Sequence, residues 1–184
     1  MAIQPHVRVS VEEFEKIALL SENENRHLEF IGGEVVELVS NNFASQIAAL
    51  ILVEIGSYNK QHDLGYITTA DGGYTVSGER YMPDVGFISK ARQPKRSHDT
   101  WNPLAPDLVV EVDSPTDRPS KIAIKVANYI NAGTLVWYFY PDVQEVHVYE
   151  SGQPVKTLGI NDILDGGKVL PGFKLTLKDI IPTD

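Results

Sequence analysis

Residues 106–115 read Pro106-Asp107-Leu108-Val109-Val110-Glu111-Val112-Asp113-Ser114-Pro115, an apolar and mostly β-branched run that carries acidic side chains. The apolar residues predict a buried strand over 107–113. Because side chains alternate along a strand, Glu111 shares one face with Asp107 and Asp113. A buried carboxylate is destabilising unless it is paired, hydrogen-bonded or bound to a cation. Glu111 therefore needs a divalent metal ion or, alternatively, a salt bridge to a lysine or arginine.

The composition predicts one globular domain over residues 1–184, since 42% of the residues are hydrophobic and 22% are charged. No run approaches the ~18 apolar residues of a membrane span, and the N-terminus lacks the apolar core of a signal peptide. The chain has no cysteine, which excludes disulfides, a thiolate nucleophile and a cysteine-ligated zinc site. We expect a cytoplasmic protein that does not associate with membranes.

The charge of the chain limits how it can bind nucleic acid. A net charge of −9 argues against broad non-specific binding to phosphates, which depends on clustered lysine and arginine. One local patch, the loop at 90–98, is basic although the net charge of the chain is negative. Its basic side chains are either solvated or in contact with phosphates.

The N-terminal half predicts a helix, a hairpin and a longer helix. Ser10 followed by Glu13 is a capping box that begins a short amphipathic helix. Gly32-Gly33 joins two apolar runs within 27–38, which is typical of a tight β-hairpin. Apolar residues at helical spacing over 43–62 predict the longest helix. A helix and a hairpin therefore precede the central strand.

The second half is rich in strands. Strands are predicted at 65–69, 73–76, 80–88, 134–140, 145–149, 155–158 and 168–169, and a helix is predicted at 120–131. The strand at 107–113, the helix and the strand at 134–140 form a parallel crossover unit. We therefore expect one mixed α/β domain. An exposed strand at 145–149 would allow pairing across a homodimer.

Asp84 and Glu111 enter on two predicted strands, and neighbouring strands would bring both carboxylates to one cation. The Val112 carbonyl is a further oxygen ligand. Few carboxylates, with the remaining positions filled by water, suit Mg²⁺. Such a metal polarises a phosphoryl oxygen and lowers the pKa of an attacking water, and a nearby lysine offsets charge on the phosphate. The pattern points to metal-dependent hydrolysis of a phosphoester.

The ordered motifs resemble a known group of nucleases. Pro83-Asp84, followed by Glu111 within an apolar run, resembles the signature of the PD-(D/E)XK nuclease superfamily. More narrowly, the chain is similar to the Uma-two family of restriction endonucleases in order and spacing from about Val9 to Ile181. The segments that carry this similarity are His27-Leu28-Glu29-Phe30-Ile31-Gly32-Gly33-Glu34, the stretch 106–115, Lys125-Val126-Ala127-Asn128-Tyr129-Ile130-Asn131-Ala132-Gly133 and Val136-Trp137.

The resemblance implies a fold and an activity. The fold is an α/β restriction-endonuclease-like core, a mixed β-sheet flanked by helices, with an N-terminal helix and β-hairpin. The activity is Mg²⁺-dependent hydrolysis of DNA phosphodiester bonds by a metal-activated water, with Mn²⁺ able to substitute. Asp84 and Glu111 are the metal ligands that the resemblance implies.

Two further residues acquire roles through the resemblance. The superfamily lysine is expected two residues after Glu111, where this chain has Asp113. In the resembling family the basic group lies on the following helix, at the position of Lys125. We expect Lys125 to orient or activate water, with Lys121 as a rival one turn earlier on the same face. Glu29 is expected to assist at the metal from the hairpin, and a surface position is its alternative.

Two other functions stay open. The lack of a lysine at position 113 and the negative net charge favour a non-catalytic nuclease-fold module that binds DNA or a protein. The same carboxylates would also serve a metal-dependent hydrolase that acts on another phosphoester. Metal binding that depends on Asp84 distinguishes a catalytic protein from a non-catalytic module.

Overall fold

The computed structural model describes residues 8–115 and 117–181. Its α-helices in these ranges are α1 (Val11–Ala18), α2 (Asn42–His62) and α3 (Pro119–Asn131). Its strands are β1 (Leu28–Ile31), β2 (Glu34–Glu37), β3 (Gly65–Thr69), β4 (Gly73–Val76), β5 (Glu79–Tyr81), β6 (Val85–Ser89), β7 (Trp101–Asn102), β8 (Leu108–Val112), β9 (Leu135–Tyr140), β10 (Glu145–Tyr149), β11 (Lys156–Gly159), β12 (Ile163–Asp165) and β13 (Lys174–Thr176). No helix within these ranges has the length and apolarity needed to cross a membrane. The expected lack of a signal peptide concerns residues 1–7, which lie outside these ranges.

Six strands form a central sheet in the order β11-β10-β9-β8-β6-β3. β8 and β9 run parallel, with Val110 opposite Trp137, and α3 connects them as predicted. The other neighbours in this sheet are antiparallel. Every residue of β8 is buried, which agrees with its nearly continuous apolar sequence.

Helices cover both faces of the central sheet. The side chains of β8 alternate between these two faces, so each face carries apolar side chains and packs against a helix. Val110 packs in a core with Ile51 and Ile55 of α2. Val109, on the opposite face, packs with Tyr129 of α3. The predicted α/β class, a mixed sheet flanked by helices, is confirmed.

A second sheet, in the order β2-β1-β5-β4-β7, contains the predicted hairpin. The Gly32-Gly33 turn has positive φ at both residues, +61° and +79°, as a two-residue hairpin turn requires. α1 begins at the predicted capping box, where the backbone amides of Ser10 and Glu13 each donate to the other's side chain. Phe14 of α1 lies 5.6 Å from Phe30 of β1 between ring centroids, so α1 packs on the hairpin.

The predicted strand at 80–88 is two strands in different sheets. β5 belongs to the hairpin-bearing sheet and β6 to the central sheet, and the chain leaves the first ladder before Pro83. Proline has no amide proton for a ladder hydrogen bond. The Met82 amide also leaves the ladder, because it donates to Glu29 Oε1 at 2.6 Å. This break puts Asp84 immediately before β6.

Two predictions about the later strands are wrong. β10 is not an exposed edge, because β9 and β11 pair with its two sides. A homodimer through this strand would require β11 to detach. Residues 168–169 form no strand. The chain instead pairs β12 with β13 and buries Leu170 and Phe173 between them against the core that contains α2.

The basic loop at 90–98 follows β6 at the end remote from the predicted acids. Two of its arginines have partners within the protein. The Arg96 guanidinium lies 4.7 Å from the centroid of the Tyr66 ring, and Arg92 forms an ion pair of 3.2 Å with Asp107. The loop therefore lies apart from the carboxylate site.

Candidate active site

Asp84 and Glu111 lie side by side where β6 and β8 pair. The register sets Val85 opposite Val110, so residue 84 is beside residue 111. Asp84 Oδ2 accepts a hydrogen bond of 2.8 Å from the Val112 amide. The two strands are therefore neighbours, which is the condition for both carboxylates to reach one cation. Val112 therefore contacts Asp84 through its amide nitrogen. Its carbonyl oxygen, the expected metal ligand, does not take part in this hydrogen bond.

Lys125 of α3 joins acids from both sheets. Its Nζ lies 3.0 Å from Glu111 Oε1 and 3.0 Å from Glu29 Oε1. Glu29 stands on β1 and is fully buried, and its Oε1 also accepts the Met82 amide. The alternative of a surface acid at position 29 is therefore wrong. The structure brings all four predicted side chains, those of Glu29, Asp84, Glu111 and Lys125, to one place.

The buried charges shift the pKa values of these groups. Burial, and then the charge of Glu111, raises the pKa of Asp84 to about 7. Burial also raises the pKa of Glu29 to about 7, although Lys125 opposes this shift. Burial by itself lowers the pKa of Lys125, but the carboxylates of Glu111 and Glu29 outweigh it, so that pKa lies above its ordinary value. One lysine thus compensates these carboxylates incompletely.

The donor atoms fit a divalent cation that keeps most of its water ligands. Glu29 Oε2 is buried and has no hydrogen-bond partner among the described residues. Such an orphaned carboxylate oxygen is destabilising unless something binds it. Within residues 8–115 and 117–181, no group of three or more histidine and acidic side chains is close enough to enclose a metal. A site with one or two carboxylates and several waters is the arrangement that Mg²⁺ favours.

A shell of polar side chains supports the acids and Lys125. The Tyr129 hydroxyl, fully buried on α3, donates to Glu111 Oε1 at 3.1 Å. The Tyr81 ring lies 5.6 Å from Lys125 Nζ, within cation–π distance. Asn128 donates to the Tyr81 hydroxyl at 2.6 Å, and that hydroxyl donates to Glu79. From the sequence, Asn128 and Tyr129 are noted only within the segment 125–133, and a supporting role is predicted for none of Glu79, Tyr81, Asn128 and Tyr129.

We predict that Tyr129→Phe lowers the free energy of unfolding by about 1–3 kcal/mol, because a buried hydrogen bond to a charged group is lost. Burial raises the pKa of Tyr129 well above its ordinary value, so the hydroxyl remains a donor. Urea unfolding measures the change. Tyr66→Phe is the matched control, since its hydroxyl is exposed and donates to Pro94 O at 3.0 Å. Equal losses in the two variants would show that the bond to Glu111 does not stabilise the site.

Lys121, the rival to Lys125, has different partners. Its Nζ donates to the Ile31 carbonyl at 3.0 Å and forms an ion pair of 2.9 Å with Glu34. These contacts tie α3 to the hairpin turn between β1 and β2. The two lysines share a helix face, but only Lys125 contacts the predicted acids.

The acids open into a cleft of about 560 Å³ between the hairpin and the start of α3. Six carboxylates and three basic side chains line it. The carboxylates are those of Glu29, Glu34, Glu37, Asp84, Glu111 and Asp117, and the basic side chains are those of Arg118, Lys121 and Lys125. Asp113 is not among the lining residues, and its carboxylate lies 3.5 Å from the Tyr138 hydroxyl. The cleft is therefore predominantly acidic.

The mixed sheet with helices on both faces, and with acids where two adjacent strands meet, defines a restriction-endonuclease-like fold. A solved structure supports this class. It is described as a "putative nuclease belonging to DUF820" from Anabaena variabilis ATCC 29413, and it matches with a TM-score of 0.82 and 22% identity. The match covers 94% of this chain and 97% of that one. At this identity the likeness establishes the fold.

A family model gives the narrower assignment. The Uma2 family, described as "Putative restriction endonuclease", matches residues 11–178. The chain belongs to this family, and the similarity identified from its motifs is confirmed. No curated protein matches the sequence.

Proposed function

We propose that the chain is a Mg²⁺-dependent endonuclease that hydrolyses DNA phosphodiester bonds, with Mn²⁺ able to substitute. One observation carries this proposal. Asp84 and Glu111 are neighbours on adjacent strands, and Lys125 of α3 places its Nζ 3.0 Å from Glu111. These groups line a cleft open to substrate. Membership of the Uma2 family supports the same activity.

In this proposal Asp84 and Glu111 hold the metal, and the Val112 carbonyl is a further oxygen ligand. Bound there, Mg²⁺ would polarise a phosphoryl oxygen and lower the pKa of a water molecule. Glu29 assists in two ways. Its Oε1 holds Lys125 at 3.0 Å, and its Oε2, which has no hydrogen-bond partner within 8–115 and 117–181, adds negative charge on the hairpin side of the site.

Lys125 acts as a fixed positive charge in this mechanism. Because its pKa lies above the ordinary value, it stays protonated at neutral pH and cannot accept a proton from water. It instead donates hydrogen bonds, which orient the attacking water and offset charge on the phosphate in the transition state. Donors held in a buried site stabilise such charge more than water does.

We expect Mn²⁺ to raise the melting temperature of the wild-type protein by about 5–10 °C at a hundredfold excess over its Kd. We expect Mn²⁺ to leave the melting temperature of Asp84→Asn unchanged, because this variant loses one of the two carboxylate ligands. Thermal melts with and without Mn²⁺ measure this. Nicking of supercoiled plasmid DNA is measured on the same samples, and only the wild type is expected to nick.

Asp179→Asn is the control for this pair, because Asp179 is exposed and absent from the cleft lining. It should retain both stabilisation and nicking. Stabilisation that persists in Asp84→Asn would contradict the assigned ligands. Wild-type protein that is neither stabilised nor able to nick would favour the non-catalytic module.

The non-catalytic module is the second candidate, and two observations favour it. Asp113 stands where the superfamily has its lysine, and Lys125 is already engaged by two carboxylates. Such a module would bind DNA or a protein without cleaving.

In either case we propose the cytoplasm as the compartment, because a chain without cysteine gains nothing from oxidising conditions. A homodimer would bring two clefts to one duplex, and sedimentation would detect it.

A further inference from the structure

Two of the three basic side chains in the cleft are bound to groups of the protein itself. Lys121 pairs with Glu34 at 2.9 Å and also donates to a backbone carbonyl. Lys125 lies between Glu29 and Glu111 at 3.0 Å from each. Their charges are therefore compensated before any substrate arrives.

Arg118 differs from both lysines. It is exposed, it precedes α3, and it lines the same cleft as the acids. Its guanidinium makes no hydrogen bond or ion pair with any residue in the ranges 8–115 and 117–181. Its side chain does not cap the helix either, so it has no evident structural role.

An anionic substrate needs such a group at this cleft. The lining carries six carboxylates against three basic side chains, so a phosphate that approaches is repelled over most of the surface. A divalent ion would offset this charge near the acids, but a nucleic-acid strand has further phosphates on each side of the one attacked. A guanidinium forms two parallel hydrogen bonds to a phosphate, and an unpaired one does so without breaking an ion pair first.

We propose that Arg118 is a substrate-binding residue that contacts a phosphate of the nucleic-acid strand adjacent to the phosphate attacked at Asp84 and Glu111. This inference rests on the proposed endonuclease function and adds a residue that orients the strand along the start of α3. The contact acts on binding alone. It leaves the reacting groups in place, because Arg118 touches none of them.

The test compares wild type with Arg118→Gln, Arg118→Lys and Lys168→Gln. Lys168 is exposed in the β12–β13 segment and is absent from the cleft lining, so it is the control for loss of one positive charge. Plasmid nicking with Mn²⁺ gives kcat and KM at several salt concentrations. Fluorescence anisotropy of a labelled DNA oligonucleotide without metal gives Kd over the same salt series.

We expect Arg118→Gln to raise KM and Kd about tenfold with kcat unchanged, and to reduce the slope of log K against log salt by about 1. Arg118→Lys should recover the salt slope, and Lys168→Gln should match wild type. Equal behaviour of Arg118→Gln and Lys168→Gln would overturn the inference. Wild type that binds DNA through Arg118 but never nicks would contradict the endonuclease and leave this contact standing. Wild type that neither binds nor nicks would overturn both.

Discussion

Glu111→Gln is expected to reduce plasmid nicking at least 10³-fold, which corresponds to about 4 kcal/mol of lost transition-state stabilisation. Three neighbours of Glu111 make this loss large. Its carboxylate lies beside Asp84 through the strand pairing, and its Oε1 contacts Lys125 and Tyr129 at 3.0 and 3.1 Å. A neutral amide keeps the shape of the side chain but removes both the metal ligand charge and the charge that attracts Lys125.

Single-turnover nicking with Mn²⁺ measures the effect. Glu54→Gln is the matched control, because Glu54 is exposed on α2, which packs on the opposite face of the central sheet from α3. The same samples are melted with and without Mn²⁺, and stabilisation by the metal should disappear in Glu111→Gln alone. A Glu111→Gln protein that nicks at the wild-type rate would exclude the proposed mechanism, whatever its stability.

The positions of Asp84 and Glu111 on two strands were predictable because they depend on local patterns. An apolar run with an acid in it identifies a buried strand, and sequentially adjacent strands are commonly neighbours in one sheet. The helix-flanked sheet was implied by the family resemblance, and the structure explains it, since the alternation along β8 provides one apolar face for α2 and another for α3. Periodicity therefore predicted the central strand and its crossover helix, and the resemblance added the flanked sheet and the roles of the two acids.

The rest of the site depends on contacts between the two sheets. The periodicity of the sequence does not predict these contacts. The predicted strand is split at Pro83, where the chain passes from one sheet to the other. The hydrogen bond that the Met82 amide donates to Glu29 fixes the position of this crossing. Lys121 and Lys125 have the same spacing and the same face on α3. Only their partners, Glu34 for one and Glu29 with Glu111 for the other, separate their roles.

Lys125→Met is expected to lower the free energy of unfolding by about 3–5 kcal/mol at pH 8 without metal. Methionine keeps most of the volume, but Glu29 and Glu111 lose the cation that lies 3.0 Å from each. Urea unfolding in EDTA measures the loss. A divalent metal added at the same pH should restore part of it, because it supplies the missing positive charge to the same carboxylates.

The loss should be smaller at pH 5, and the sign follows from the direction of the Glu29 shift. Burial raises the pKa of Glu29 from its ordinary 4.5 to about 7 in the folded protein. A carboxyl with a raised folded pKa stabilises the fold fully below its unfolded pKa and loses that stabilisation as the pH rises through about 7. Without Lys125 the folded pKa rises further, so the variant's deficit grows between pH 5 and pH 8. The double variant Lys125→Met/Glu29→Gln should be more stable at pH 8 than Lys125→Met, since it removes one uncompensated charge. Equal deficits at both pH values, with no gain in the double variant, would assign the loss to packing rather than to charge.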